Sequence, residues 1–180
     1  VINEKVGIKG TVVCVLKDKD GNVKTTVTKN IVTNDGDLYY AERGALLTTG
    51  TPIAPVPTNF TDANGVPDMQ MEMYDNTGAA PGKTSDRSAA GVVIGVAKNM
   101  DSGYPKVNDL DGDNTGAAVD SVTYLTSFTT AEVIGSIDEV ILTNPSAGAS
   151  EPVIMFADGL AVTKGASDTL KVFVNHNMLG

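Results

Sequence analysis

The side chains best spaced for chemistry are Asp109, Asp111 and Asp113, with Gly112 among them and Asp120 at the twelfth position of the run. Carboxylates on a flexible turn supply the oxygen ligands that calcium prefers. The match to a helix–loop–helix calcium loop is incomplete. The sharp-turn glycine belongs at the sixth position, where this chain has Asn114, and Asp120 stands where that loop closes on glutamate. No helical pattern flanks the run. The spacing predicts a solvated acidic turn, with a calcium site as the alternative.

Other candidates fit less well. Gly78-Ala79-Ala80-Pro81-Gly82-Lys83-Thr84 looks like a phosphate-binding loop, but it has one residue too few between its glycines. No helix pattern follows to turn an N-terminus toward a phosphate. His176 is the only histidine, which excludes a multi-histidine metal site and leaves one imidazole for any triad. It shares the parity of Leu170, Val172 and Val174, as a strand-end side chain would, and no serine sits in a recognisable nucleophile elbow. Cys14, the single cysteine, lies in Val12-Val13-Cys14-Val15-Leu16; it can close no internal disulfide and reads as a small buried hydrophobe. Asp138 and Glu139 are adjacent, hence on opposite faces of a strand, and make no glycosidase pair. Asn59-Phe60-Thr61 is a formal glycosylation sequon without a secretory signal to give it meaning. The sequence therefore predicts a non-enzymatic protein, with no catalytic residue, no cofactor and no metal ligand.

The elements that must position these residues are mostly strands. Val6, Ile8, Val12, Cys14 and Leu16 share one parity across Val6–Leu16, and a partner strand over Val23–Thr33 follows a turn at Asp18-Lys19-Asp20-Gly21-Asn22. Val13 and Val15 put apolar groups on the second face, so this hairpin is expected to be covered on both sides. Asn34-Asp35-Gly36-Asp37 breaks the strand and offers caps to a helix over Leu38–Leu47, with Leu38, Ala41, Ala45 and Leu46 on one stripe. Met69, Met71 and Met73 alternate with Gln70, Glu72 and Tyr74 as in a half-buried strand. Gly91–Ala97 reads as a short buried strand between the loops Asp75–Ser88 and Asn99–Ala118. Val122, Tyr124 and Phe128 mark the next strand. Ile137–Thr143 reads as another, although helical spacing also fits Val133, Ile134, Ile137, Val140 and Ile141. Asp158-Gly159, between Val153–Ala157 and Leu160–Thr163, predicts a two-residue hairpin turn. The last strand sets Leu170, Val172, Val174 and His176 against Lys171, Phe173 and Asn175. The expected fold is all-β: a β-sandwich or jelly roll of about eight strands with one short helix and long loops, as a single domain over 1–180.

Thr48–Asp68 holds Pro52, Pro55, Pro57 and Pro67 and no periodic pattern, and it is longer than an ordinary connection. It reads as an arm laid on a partner, with Ile53, Val56 and Phe60 as apolar anchors. The chain has 13 basic and 22 acidic residues, a net charge of −9, and no cluster of Lys and Arg along its length to replace phosphate counterions. Nor does any stretch approach the roughly 20 apolar residues that span a bilayer. Neither nucleic acid nor membrane is an expected partner, and the chain is expected to be soluble.

Three segments resemble a pattern common in structural proteins of tailed bacteriophages. The first is Asn30-Ile31-Val32-Thr33-Asn34-Asp35-Gly36-Asp37-Leu38-Tyr39-Tyr40-Ala41, a strand followed by Thr-Asn-x-Gly and a short helix. The second runs from Val122-Thr123-Tyr124 to Phe128 and resumes at Ile137-Asp138-Glu139-Val140-Ile141-Leu142-Thr143-Asn144. The third joins Val162-Thr163-Lys164 to Asp168-Thr169-Leu170-Lys171-Val172-Phe173-Val174. They cover under half of the chain and occur in the expected order. The resemblance implies a virion component: a capsid decoration (cement) protein, or a tail, baseplate or fibre component. A decoration protein implies a homotrimer on the capsid exterior, bound to the major capsid protein and made in the host cytoplasm. The long central loops depart from the compact versions of the pattern. A carbohydrate-binding β-sandwich ranks lower, because sugar platforms use exposed aromatic rings and this chain has no Trp, four Phe and five Tyr.

Overall fold

The computed structural model describes residues 8–49, 69–75, 80–108, 121–143 and 152–178. Their order is β1 (Lys9–Lys17), β2 (Val23–Val32), α1 (Asn34–Thr49), β3 (Gln70–Asp75), β4 (Val92–Val93), β5 (Lys98–Asn99), β6 (Lys106–Asn108), β7 (Ser121–Phe128), β8 (Gly135–Thr143), β9 (Val153–Lys164) and β10 (Thr169–Asn177). The fold is all-β with one helix, as the alternating patterns predict. All strands belong to one antiparallel sheet in the order β4-β3-β8-β9-β2-β1-β10-β7-β6, with β5 also on β3.

The strand β2 divides this sheet in two. Its first part, Val23 to Asn30, pairs with β1, whereas Ile31 and Val32 pair with Phe156 and Met155 of β9. The half containing β1, β10 and β7 and the half containing β9, β8 and β3 bury their facing side chains in one core. Val12, Cys14, Tyr124, Leu170, Val172 and Val174 come from the first half, and Met71, Met73, Val140, Leu142 and Met155 from the second. Burial of apolar area at about 25 cal/mol per Å² makes this the chief stabilising contribution. Cys14 is within it, and burial raises its thiol to about 12, so it acts as a hydrophobe.

Several sequence expectations change. The helix starts at Asn34, four residues early, because the Thr33 hydroxyl accepts from Gly36 N at 3.0 Å and caps it. A Cβ on Gly36 would collide with the Ile154 carbonyl, so only glycine lets the helix approach β9 this closely. Tyr39 is buried there, while Leu38 is 55% exposed. The strand β3 is buried on both faces, since Glu72 and Tyr74 are covered too. Gly91–Ala97 is not a buried strand: only Val92–Val93 pair, and both are exposed. Asp158-Gly159 is no hairpin turn either. It lies inside the continuous β9, where Gly159 and Ala161 have positive φ and the register against β8 slips between Ile137 and Glu139. This is a bulge that bends the strand. The region Ile137–Thr143, open to a helical reading, is the strand β8.

Candidate partner-binding surface

The imidazole is the natural place to look for chemistry, and it is sealed. His176 is fully buried on β10. Its Nε2 lies 2.6 Å from Asn30 Nδ2 and its Nδ1 2.5 Å from the Tyr40 hydroxyl, which is 2.7 Å from the Tyr124 hydroxyl. One neutral tautomer satisfies the whole chain: Asn30 donates to Nε2, Nδ1–H donates to Tyr40, and Tyr40 donates to Tyr124. Burial lowers the imidazole to about 3, which keeps it neutral. Gly10 is required beside it, because the Asn30 carboxamide occupies the space a Cβ would take. The network joins β2, α1, β7 and β10.

The other charged cluster lies on the outer face of the second half. Arg87, in a short 3-10 turn at Arg87–Ala89, clamps the buried Glu72 with Nη2–Oε1 at 2.5 Å and Nε–Oε2 at 2.8 Å. The Tyr74 hydroxyl donates to Glu72 Oε2 at 2.6 Å. Ala89 and Ala90 then cover Tyr74, Ile141, Val153 and Phe156, a second small core. Beside it is Glu139, cross-strand neighbour of Tyr74 and Asp158, fully buried with neither carboxylate oxygen hydrogen-bonded. Burial, and then Asp158, raises its carboxyl to about 7.

Among the described residues most of the outward face of the first half has no such cover; the exception is its β7 edge, where Leu125 is buried and Ser127 bonds to Asp101. Strand alternation puts Val27, Val13, Phe173 and Leu125 in one row across β2, β1, β10 and β7. Val27 is 62% exposed and Val23, further along β2, is 60% exposed, while Val13 and Phe173 are half-buried. The expected covering of both hairpin faces is therefore absent among the described residues. Lys9, Lys17, Lys29 and Lys171 point outward around this row, and all four are exposed. At one end Lys9, Thr11, Lys29, Asn175 and Asn177 line an open cleft of about 560 Å³ with no aromatic ring in its wall.

The anchors Ile53, Val56 and Phe60, the sequon, and Asp109, Asp111, Asp113 and Asp120 all lie outside the described residues. Lys83, from the loop with phosphate-binding looks, pairs instead with Asp37 at 2.5 Å. Sequence reasoning missed the outward row because Val23 and Val27 are separated by polar Thr25 and read as ordinary β-branched strand formers. A usable signal was present in composition. The four strands of this half, β1, β2, β7 and β10, contain five lysines and no Asp or Glu. No family model, curated protein or solved structure matches the chain.

Proposed function

We propose that this chain is a structural protein of a tailed-phage virion, a capsid decoration protein that acts through protein–protein contacts. It would sit on the capsid exterior as a homotrimer bound to the major capsid protein, and would be made in the bacterial cytoplasm. The observation that carries this reading is the outward row Val27–Val13–Phe173, an apolar surface on the sheet with nothing from the described residues over it. Surfaces of this kind mark interaction sites. The three phage-like segments support the same reading, since they fall on elements that adjoin in the sheet: β2 on β9, β8 on β9, and β7 on β10. A carbohydrate module finds no support in the cleft beside Lys9 and Lys29, whose lining offers no ring to stack on a sugar.

The test is the position and copy number of the chain in purified particles. Hundreds of copies over the shell are expected; a handful at one vertex would assign it to the tail or baseplate, and absence from particles would sink the virion reading. A second measurement addresses the arm. Replacing Thr48–Asp68, with Ile53, Val56 and Phe60, by a short Gly/Ser linker should leave the far-ultraviolet circular dichroism of a β protein but reduce trimer formation or particle attachment. Its prolines lower the entropy cost of ordering it on a partner. Full occupancy by the shortened protein would make the segment a loop only.

A further inference from the structure

We propose that copies of this chain associate head to tail, the lysine-flanked apolar face of one copy seating on a second apolar surface at the far end of the sheet of the next. This deepens the homotrimer reading above by naming the two surfaces.

The second surface surrounds β4. Val92 and Val93 are 62% and 48% exposed, Val96 is 75% exposed and Ile134 is 50% exposed. The two segments that carry them adjoin: a Cβ on Gly95 would meet Val133 at 3.3 Å, and one on Gly135 would meet Ile94 at 3.6 Å. Beside them Val96, Ala97, Phe128, Ala131 and Val133 line a cleft of about 420 Å³. Lys98 and Glu132 in the cleft wall pair with each other, and the further charges beside it are acidic: Asp75 is the cross-strand partner of Val92, and Asp138 lies on β8, four residues after Ile134.

Charge decides the pairing. The outward face of the first half carries Lys9, Lys17, Lys29 and Lys171 and no carboxylate from its strands. Removing those four positive charges from the net −9 leaves the rest of the chain at −13. Another copy therefore offers the complementary field. A two-fold contact of this face with itself would set four lysines against four, which is unfavourable. A heterologous contact joins unlike surfaces, and it closes into a ring when the rotation allows. The centre of the face is apolar and its lysines are peripheral, which suits a protein partner better than a phosphate backbone.

The experiment uses the purified full chain in sedimentation velocity. Val27→Asp spoils the face and Val96→Asp spoils the second surface; both side chains are exposed, so both variants should fold, and circular dichroism checks this. Each variant alone should associate at least about tenfold more weakly than wild type. An equimolar mixture should form a dimer and stop there, because it holds one intact face and one intact partner surface. Raising salt should weaken wild-type association several-fold by screening the lysines. Homodimers of either variant alone would mean a two-fold interface and overturn the proposal. So would unchanged trimers of both variants, a monomeric wild type, or retention of duplex DNA by wild type and not by Lys29→Glu. None of these outcomes depends on where the protein sits in a particle, so the virion reading stands or falls separately.

Discussion

The two halves of the sheet share one core but treat their outer faces in opposite ways. Behind β3, β8 and β9 the outer face is closed by the segment around Arg87–Ala90, which buries Glu72, Tyr74 and Glu139. Behind β2, β1 and β10 it is open among the described residues, with exposed valines and lysines. Strand charge follows the same division: β3, β8 and β9 hold five acids and Lys164, whereas β1, β2, β7 and β10 hold five lysines and no acid. The closed face spends its polar groups on internal stability. The open face leaves its apolar groups uncovered among the described residues, so substitutions on the two faces should have unlike consequences.

The largest difference should come from Arg87. Its guanidinium is the bidentate partner of a carboxylate whose side chain is 2% exposed. Arg87→Ala would strand that charge and should cost about 3 kcal/mol of unfolding free energy in denaturant titrations. Adding Glu72→Gln should recover much of the loss, because the uncompensated charge is then gone. If Arg87→Ala costs no more than an exposed substitution such as Lys171→Ala, the closed face is not a second core.

A pH titration of stability separates two buried groups, one from each half. Glu139 titrates at about 7 when folded against an ordinary 4.5, so its folded form holds a proton the unfolded form has lost. Its stabilising effect is complete below pH 4.5 and disappears as pH rises toward 7. His176 is the reverse case: at about 3 against 6.5, it stays neutral when folded, and stability falls as pH drops below 6.5. Between pH 4.5 and 6.5 the two slopes oppose each other, each about 1.4 kcal/mol per pH unit. Wild-type stability should therefore be nearly flat there with respect to this pair. Glu139→Gln should leave stability rising with pH, and His176→Gln should leave it falling. Identical profiles for both variants would remove these residues from the pH dependence. The His176 variant should also lose stability at every pH, because Tyr40 and Asn30 lose their partner.

Much of the architecture was legible because burial follows parity. Leu170, Val172, Val174 and His176 are all fully buried, as their alternation implied. The same logic failed where local signals were overruled by neighbours. Asp158-Gly159 has the composition of a tight turn, yet pairing with β8 on both sides of it keeps the chain extended and confines the glycine to a bulge. Met69 to Tyr74 alternated as a half-buried strand would, but the Arg87 segment, more than ten residues later, covers the second face. His176 does stand near the end of β10, as its spacing implied; its hydrogen-bond partners Tyr40 and Asn30 come from α1 and β2, far away in the chain, and could not be read from that spacing. The open face was unreadable for the opposite reason. A valine predicts burial, and only the fold reveals that Val23 and Val27 have no described residue above them.

The smallest effect is expected on that open face. Val27→Thr replaces a methyl group by a hydroxyl of nearly the same shape, on a side chain already 62% exposed. Both residues are β-branched and suit a strand, so the pairing of β2 with β1 is unaffected. The hydroxyl is solvated in the folded and unfolded chain alike, and unfolding free energy should stay within about 0.5 kcal/mol of wild type. Val12→Thr is the control: it sits on the same β1–β2 hairpin but faces the core with no exposure, so its hydroxyl would be buried and should cost about 1–3 kcal/mol. Chemical denaturation of the two variants side by side measures the contrast. A penalty at Val27 equal to that at Val12 would mean that the outward row is part of a packed core, and the distinction between an open and a closed half would fail with it.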